Sequence, residues 1–151
     1  MHHAWKIVVV LLALTTTSPS LAAEDFTFTA IGTDGGSAWI KIDGRNIGAT
    51  SSTVTSTSKG PDGKTETWTG HCQSWTPDSP TYSFETVCNY TKDEGAYSTI
   101  SWCPKDMTKG CSGKLVGVSG RFKDMTGTFS VGTKAGADGT TDNYSGTGHW
   151  N

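Results

Sequence analysis

Residues 81–103 read TYSFETVCNYTKDEGAYSTISWC, and this stretch decides the fold. Its first run, from Thr81 to Thr91, alternates largely between polar and apolar residues. This alternation places four side chains on one face: Tyr82, Phe84, Cys88 and Tyr90. Lys92 to Gly95 interrupts the run, and Ala96 to Cys103 then alternates again. Alternation of period two is typical of a strand with one buried face, and a short glycine-containing break between two such runs predicts an antiparallel hairpin.

The same pattern continues outward in both directions. Short alternating runs recur between clusters of Gly, Asp, Pro and Asn, and no window shows a sustained apolar repeat of helical period. These runs predict an all-β domain of about eight or nine strands, in which Phe26 to Ala30 and Ser37 to Ile42 are separate strands joined by a turn at Asp34–Gly36. Short connections favour an antiparallel meander, and closure into an up-and-down barrel removes the exposed edges that invite aggregation.

The first residues have the layout of a secretory signal. Lys6 precedes an apolar run from Ile7 to Leu14, and small residues follow up to Ala23. The apolar run is shorter than the roughly 20 residues that a membrane-spanning helix needs. We therefore predict a signal peptide at residues 1–23, a β-barrel domain at residues 24–151, and a secreted or periplasmic location.

Four cysteines occur in the middle of the chain, at positions 72, 88, 103 and 111. An even number of cysteines in an exported chain predicts disulfides, and four cysteines allow three pairings. We favour Cys72–Cys88 and Cys103–Cys111 because each pair brackets a loop between predicted strands. A zinc site is disfavoured because it prefers cysteines separated by two to four residues.

Charge and motifs exclude several classes of function. The formal net charge is −2, and the basic residues are scattered singly among acidic ones, which argues against nucleic acid and anionic membranes as partners. We find no cofactor motif, no metal-ligand spacing and no catalytic constellation, so we expect no cofactor and favour a binding protein over an enzyme. The oxygen-rich segment from Gly136 to Asn143 is predicted to be a hairpin loop, although it could hold Ca²⁺ loosely.

One segment carries a family resemblance. Gly120 to Phe129, GRFKDMTGTF, resembles the hairpin of small secreted β-barrels of the allene oxide cyclase-like and dirigent-like type, within the calycin-like group. Gly70-His71-Cys72 with Cys88, and the hairpin from Asp93 to Trp102, are similar to the matching region of bacterial exported members. The resemblance covers roughly residues 60–150 and implies an antiparallel barrel. It implies no activity, because one fold hosts many functions, and no catalytic residue is carried over.

Aromatic side chains are the first group of candidate ligand contacts. At the mouth of a barrel they can stack on a sugar, a phenolic compound or a lipid chain, and they can equally fill the barrel core. The aromatic candidates are Trp68, Tyr82, Phe84, Tyr97 and Trp102.

Polar residues on the predicted strands form the second group. Glu66 and Glu85 could act together as an acid–base pair if both face inward, and His71 could assist them. Each of the three is equally explained as a surface residue.

Three functional hypotheses therefore stand. The first is a barrel that binds a small, partly apolar ligand. The second is a cyclase- or isomerase-type enzyme that uses Glu66, Glu85 or His71. The third is a structural or surface-interaction protein without a pocket. The shape and lining of the barrel interior distinguish them.

Overall fold

Eight antiparallel strands form a closed up-and-down barrel in the computed structural model, which describes residues 23–42, 44–135 and 141–151. Each strand pairs with its neighbours in sequence, and the last strand pairs with the first. The elements are β1 (Glu24–Ile42), β2 (Arg45–Lys59), β3 (Thr65–Trp75), β4 (Tyr82–Lys92), β5 (Gly95–Pro104), a 3₁₀ turn (Met107–Lys109), β6 (Cys111–Gly120), β7 (Thr126–Ala135) and β8 (Thr141–Trp150).

The predicted fold class is thereby confirmed. The predicted signal peptide lies outside the described residues except for Ala23, and so does most of the segment from Gly136 to Asn143. Within the ranges that the structure describes, no helix is both long enough and apolar enough to cross a membrane.

The turn predicted at Asp34–Gly36 is wrong, because β1 continues through it. The pairing of β1 with β2 shifts between Asp34 and Gly36, and Gly36 has a φ of 132°. A β-bulge adds one residue to a strand and bends it without ending it, and glycine adopts positive φ at little cost. The two strands predicted on either side of this segment are therefore one strand.

In β5 the side chains alternate between the two faces as predicted from the sequence. Tyr97 lines the lumen, whereas its strand neighbours Ile100 and Trp102 lie on the other face. Tyr82 departs from the prediction because a register shift between Tyr82 and Phe84 puts the two residues out of phase. Phe84 lines the lumen, and Tyr82 is exposed on the outside.

The two ends of the barrel differ in their side chains. The turns after β2, β4 and β6 lie at the end where β1 begins and β8 finishes, which we call the aromatic end. Four of its side chains are buried, with at most 7 % of their surface exposed: Trp68, Tyr90, Phe122 and Trp150. Strands β1, β3, β5 and β7 finish at the opposite end, which we call the hydroxyl end.

Tyr97 lies at the centre of the aromatic cluster. Its ring stacks on Tyr90 with centroids 4.8 Å apart, and it meets Trp68 edge-on at 5.4 Å and Trp150 edge-on at 5.6 Å. Such aromatic pairs contribute about 0.5–1.5 kcal/mol each beyond the area that they bury. The cluster therefore fills this end of the barrel and stabilises it.

Glycine allows the turn between β6 and β7 to fold inward and place Phe122 in that cluster. A Cβ atom at Gly117 would lie 1.6 Å from the carbonyl oxygen of Phe122, so only glycine permits this approach. The Gly117 amide donates to the Met125 carbonyl at 2.8 Å, and Gly120 turns the chain with a φ of 60°. A residue from a turn thereby becomes part of the core.

Both predicted disulfides are present. Cys72–Cys88 joins β3 to β4 with Cα atoms 4.0 Å apart, and Cys103–Cys111 joins β5 to β6 with Cα atoms 4.2 Å apart. All four cysteines are buried and line the lumen. Two structural disulfides fit an oxidising, extracytoplasmic environment.

Candidate functional site

The barrel lumen contains a cavity of about 570 Å³ that runs along the barrel. Side chains from all eight strands line it, and its lining reaches the rim at both ends. Its volume lies within the range of about 300–1,000 Å³ that is usual for small-molecule sites. The aromatic cluster occupies part of the lumen at one end, and residues at that rim, among them Glu24 and Arg121, also line the cavity.

One wall of the cavity carries hydroxyl groups. They come from inward positions of β2, β3, β4 and β5: Thr50, Ser52, Ser74, Thr86, Thr99 and Ser101. The hydroxyls of Ser74 and Thr86 are 2.7 Å apart and hydrogen-bond across the β3–β4 pair. Hydroxyls both donate and accept hydrogen bonds, so this wall accepts uncharged polar groups of either kind.

The remaining wall is apolar. Phe28 of β1 and Phe129 of β7 meet edge-on with centroids 6.2 Å apart. Buried Leu115 of β6 also lines this wall, whereas buried Val54 lies between the hydroxyl-bearing residues Ser52 and Ser56 of β2. The cavity therefore has two chemically distinct faces, one apolar and one rich in hydroxyl groups.

Trp39 lies at the rim of the hydroxyl end, on a part of the β1–β2 hairpin that extends beyond the paired barrel wall. β2 pairs with β3 only from Ala49 onward, so the hairpin beyond that point is two-stranded. Trp39 lines the cavity but is 56 % exposed. Its ring lies against Gly48, where a Cβ atom would come within 2.2 Å of it. An aromatic ring is thus held at this rim without being buried.

Glu66 and Arg121 form an ion pair at the rim of the aromatic end. Arg121 Nη1 donates to Glu66 Oε1 at 2.8 Å, and Arg121 Nη2 donates to Glu66 Oε2. The guanidinium group also lies 4.6 Å from the ring centroid of Phe122. The hydrogen bonds from Arg121 hold the pKa of Glu66 below its usual value, so this carboxylate is ionised and already occupied.

The two stacked tyrosines are neutral phenols at physiological pH. Burial raises the pKa of Tyr90 to about 12. Burial, together with the neighbouring Tyr90, also raises the pKa of Tyr97. Neither phenol is therefore a base, and each offers at most a hydrogen bond.

The structure separates the predicted site residues into two groups. Trp68, Phe84, Tyr97 and Glu66 line the lumen. Outside it lie His71, Tyr82, Glu85 and Trp102.

The two predicted glutamates do not come together. Glu85 is paired in register with Trp75 on one side and Trp102 on the other, on the outer face of the wall. Glu66 faces inward and is bound by Arg121. The acid–base pair that would require both carboxylates in the lumen is not formed.

The site residues predicted from the sequence include neither the hydroxyl wall nor Trp39. The signal for the hydroxyls was present, because Thr86 is in phase with inward-facing Phe84 and Cys88, and Thr99 and Ser101 are in phase with Tyr97. The signal for Trp39 was hidden by the β1 bulge, which reverses the alternation after Asp34.

No group of three or more His, Cys, Asp or Glu side chains suited to a metal ion occurs in residues 23–42, 44–135 and 141–151. His149 Nδ1 and Asp25 Oδ1 are 2.7 Å apart, but they face away from the lumen on neighbouring strands.

Comparison with known proteins found no matching family model, no matching curated protein and no matching solved structure. The resemblance to allene oxide cyclase-like and dirigent-like barrels therefore stays a prediction.

Proposed function

We propose that this barrel binds a small, uncharged and partly apolar ligand in its lumen, as an exported, disulfide-stabilised binding protein. The observation that carries the proposal is the cavity of about 570 Å³, with its apolar wall on one side and its hydroxyl wall on the other. A ligand with one apolar face and a few hydroxyl, carbonyl or ether groups satisfies both walls at once.

The distribution of charge supports an uncharged ligand. The charged residues that line the cavity lie at its rims: Glu24, Asp34, Asp62, Lys64, Glu66 and Arg121. Between the rims, the described lining is apolar or carries hydroxyl groups. An ion moved into this stretch would lose its hydration without gaining a partner of opposite charge, which is costly.

Entry at the hydroxyl end follows from the difference in burial between the two ends. Trp68, Tyr90, Phe122 and Trp150 are buried across the aromatic end. At the other end Trp39 is largely exposed, and the inward hydroxyl groups remain partly accessible. Trp39 is placed to cover the apolar face of a bound ligand.

The lining supports binding over the two other hypotheses. An acid–base enzyme needs titratable groups that face the cavity, yet Glu85 and His71 lie outside it and Glu66 is occupied by Arg121. A protein without a pocket needs a filled interior, and the aromatic cluster fills one end only.

Blocking the lumen tests the proposal. Nile red, a neutral and partly apolar dye, is expected to gain fluorescence on binding to the wild-type protein. Ser101→Phe places a large ring inside the cavity and should abolish the gain. Ser112→Phe adds the same ring at an exposed outer position paired with Trp102 and should leave the gain unchanged. Equal binding by both variants, or no binding by the wild-type protein, would refute lumen binding. Native mass spectrometry of the protein from its own host would identify a retained ligand.

A further inference from the structure

A second concave feature lies on the outer wall of the barrel, across β2, β3 and β4. It is a groove of about 360 Å³. Side chains on the outer face provide its surface: Ser51, Thr53, His71, Gln73, Trp75, Val87 and Asn89. They belong to adjacent cross-strand rows, because Ser51 is paired with Gln73, and His71 is paired with both Thr53 and Asn89.

The β1 bulge borders the groove. Gly35 lies within the bulge and borders the groove without a side chain. A Cβ atom at Gly35 would lie 3.1 Å from Ser51 Oγ, so a larger residue would crowd the groove at this point. Bulges of this kind re-aim side chains and bend a strand.

The groove combines an exposed indole ring with uncharged hydrogen-bonding groups. Trp75, at one end of the groove, is 36 % exposed. Gln73 and Asn89 contribute amides, and Ser98 donates to Asn89 Oδ1 at 2.7 Å, which orients that amide. Among the described lining residues there is no carboxylate, ammonium or guanidinium group.

We propose that this groove binds a neutral saccharide. The apolar C–H face of a pyranose ring stacks on the indole of Trp75, and the ring hydroxyls hydrogen-bond to Gln73, His71 and Asn89. A β-linked glucose unit fits this arrangement best, because its equatorial hydroxyls leave both ring faces apolar. Trp75 and His71 are four residues apart on one strand, which is about 13 Å, so the groove spans more than one sugar unit.

The lining also specifies which saccharides are excluded. Uronic acids and sulfated sugars carry negative charge, and the described groove offers no lysine or arginine side chain to pair with it. The proposal is independent of the lumen ligand, because His71, Gln73 and Asn89 line the groove and not the lumen. Trp75 lines both, so Gln73 is the better position at which to separate them.

Isothermal titration calorimetry on the mature protein tests the proposal, with cellohexaose as the neutral probe and a galacturonate hexamer as the charged one. We expect binding of cellohexaose and none of the galacturonate. Gln73→Ala should weaken binding about fivefold, because one or two hydrogen bonds are lost. Trp75→Ala should weaken it about tenfold or more, because the stacking surface is lost.

Two controls separate the groove from the rest of the molecule. Trp102→Ala removes an indole from the same outer wall but not from the groove, and Ser101→Phe blocks only the lumen. Both variants should bind cellohexaose as the wild-type protein does. Absence of cellohexaose binding at millimolar concentration, preferential binding of the galacturonate, or an equal loss in Trp102→Ala would overturn the proposal. Loss in Ser101→Phe alone would assign the sugar to the lumen and also overturn it.

Discussion

Gly70→Ala is expected to destabilise the barrel strongly although it adds a single methyl group. Gly70 is buried on β3 and paired in register with Tyr90 of β4, whose ring lies across it. A Cβ atom at Gly70 would come within 2.5 Å of the Tyr90 ring. The ring must therefore move, and the stack of Tyr90 on Tyr97 at 4.8 Å moves with it.

The loss of stability in Gly70→Ala has two separate sources. Overpacking a core position costs about 1–3 kcal/mol, and losing an aromatic pair costs about 0.5–1.5 kcal/mol. We expect the free energy of unfolding to fall by about 2–4 kcal/mol, and Tm to fall by about 10 °C for a domain of this size. Urea unfolding followed by tryptophan fluorescence measures the first quantity, and thermal unfolding measures the second.

The same substitution at Gly132 is the matched control. Gly132 is also in a strand, but a Cβ atom there would meet nothing within 4 Å. Gly132→Ala should change the free energy of unfolding by less than about 1 kcal/mol. An ultraviolet pH titration adds a second measurement: the pKa of Tyr90, about 12 in the wild-type protein, should move toward 10.0 when the ring is displaced. Equal stability of the two variants would refute the argument that Gly70 exists to accommodate the Tyr90 ring.

Three further predictions concern Trp39 at the rim, the Cys72–Cys88 disulfide and the Glu66–Arg121 ion pair. Trp39→Ala should raise the Kd for Nile red about fivefold and leave urea stability unchanged, because Trp39 covers the entrance without being buried; unchanged affinity would contradict its role. Replacing Cys72 and Cys88 by alanine should lower the free energy of unfolding by about 3 kcal/mol, measured in urea, because the disulfide closes a short loop; a loss below about 1 kcal/mol would argue against that account. The pKa of Glu66 is lowered by Arg121, so the pair stabilises the folded protein above the unfolded-state pKa near 4.5, and this contribution disappears as pH falls through the lower folded-state pKa. The stability advantage of the wild-type protein over Glu66→Gln should therefore be largest near neutral pH. It should stay below about 1 kcal/mol because solvent screens the pair. A larger advantage at acid pH would contradict the pairing.

The alternation of residues in the sequence predicted much of the fold correctly. Tyr97 and Trp102 lie on opposite faces, as their positions in the 96–103 run predict, but only the structure showed that Tyr97 is the one that faces inward. The prediction failed at two bulges, one between Asp34 and Gly36 and one between Tyr82 and Phe84. A bulge inserts a residue out of phase, so every side chain beyond it exchanges faces; Gly35 and Gly36 mark the first bulge but also suit a turn, and no glycine marks the second.

The candidate site was predicted less well, because its parts come from distant segments. Glu66 and Arg121 are 55 residues apart in sequence, and nothing near either residue indicates the other. Glu85 lies on the outer face of the closed barrel, between Trp75 and Trp102, so it cannot form the predicted acid–base pair with Glu66 in the lumen. The hydroxyls of the lumen became a surface only when β2 to β5 were adjacent.

The sequence by itself determined the all-β class and the meander order, and it favoured the cysteine pairing that the structure contains. These depend on residues close together along the chain, where a period of two and a short loop suffice. Only the tertiary structure decided that the barrel is filled by aromatic rings at one end and hollow elsewhere. That outcome depends on how side chains from all eight strands meet across the lumen, and on the inward fold of the turn that carries Phe122. Packing of this kind depends on the volumes of side chains that come from distant segments, so no single stretch of the chain predicts it.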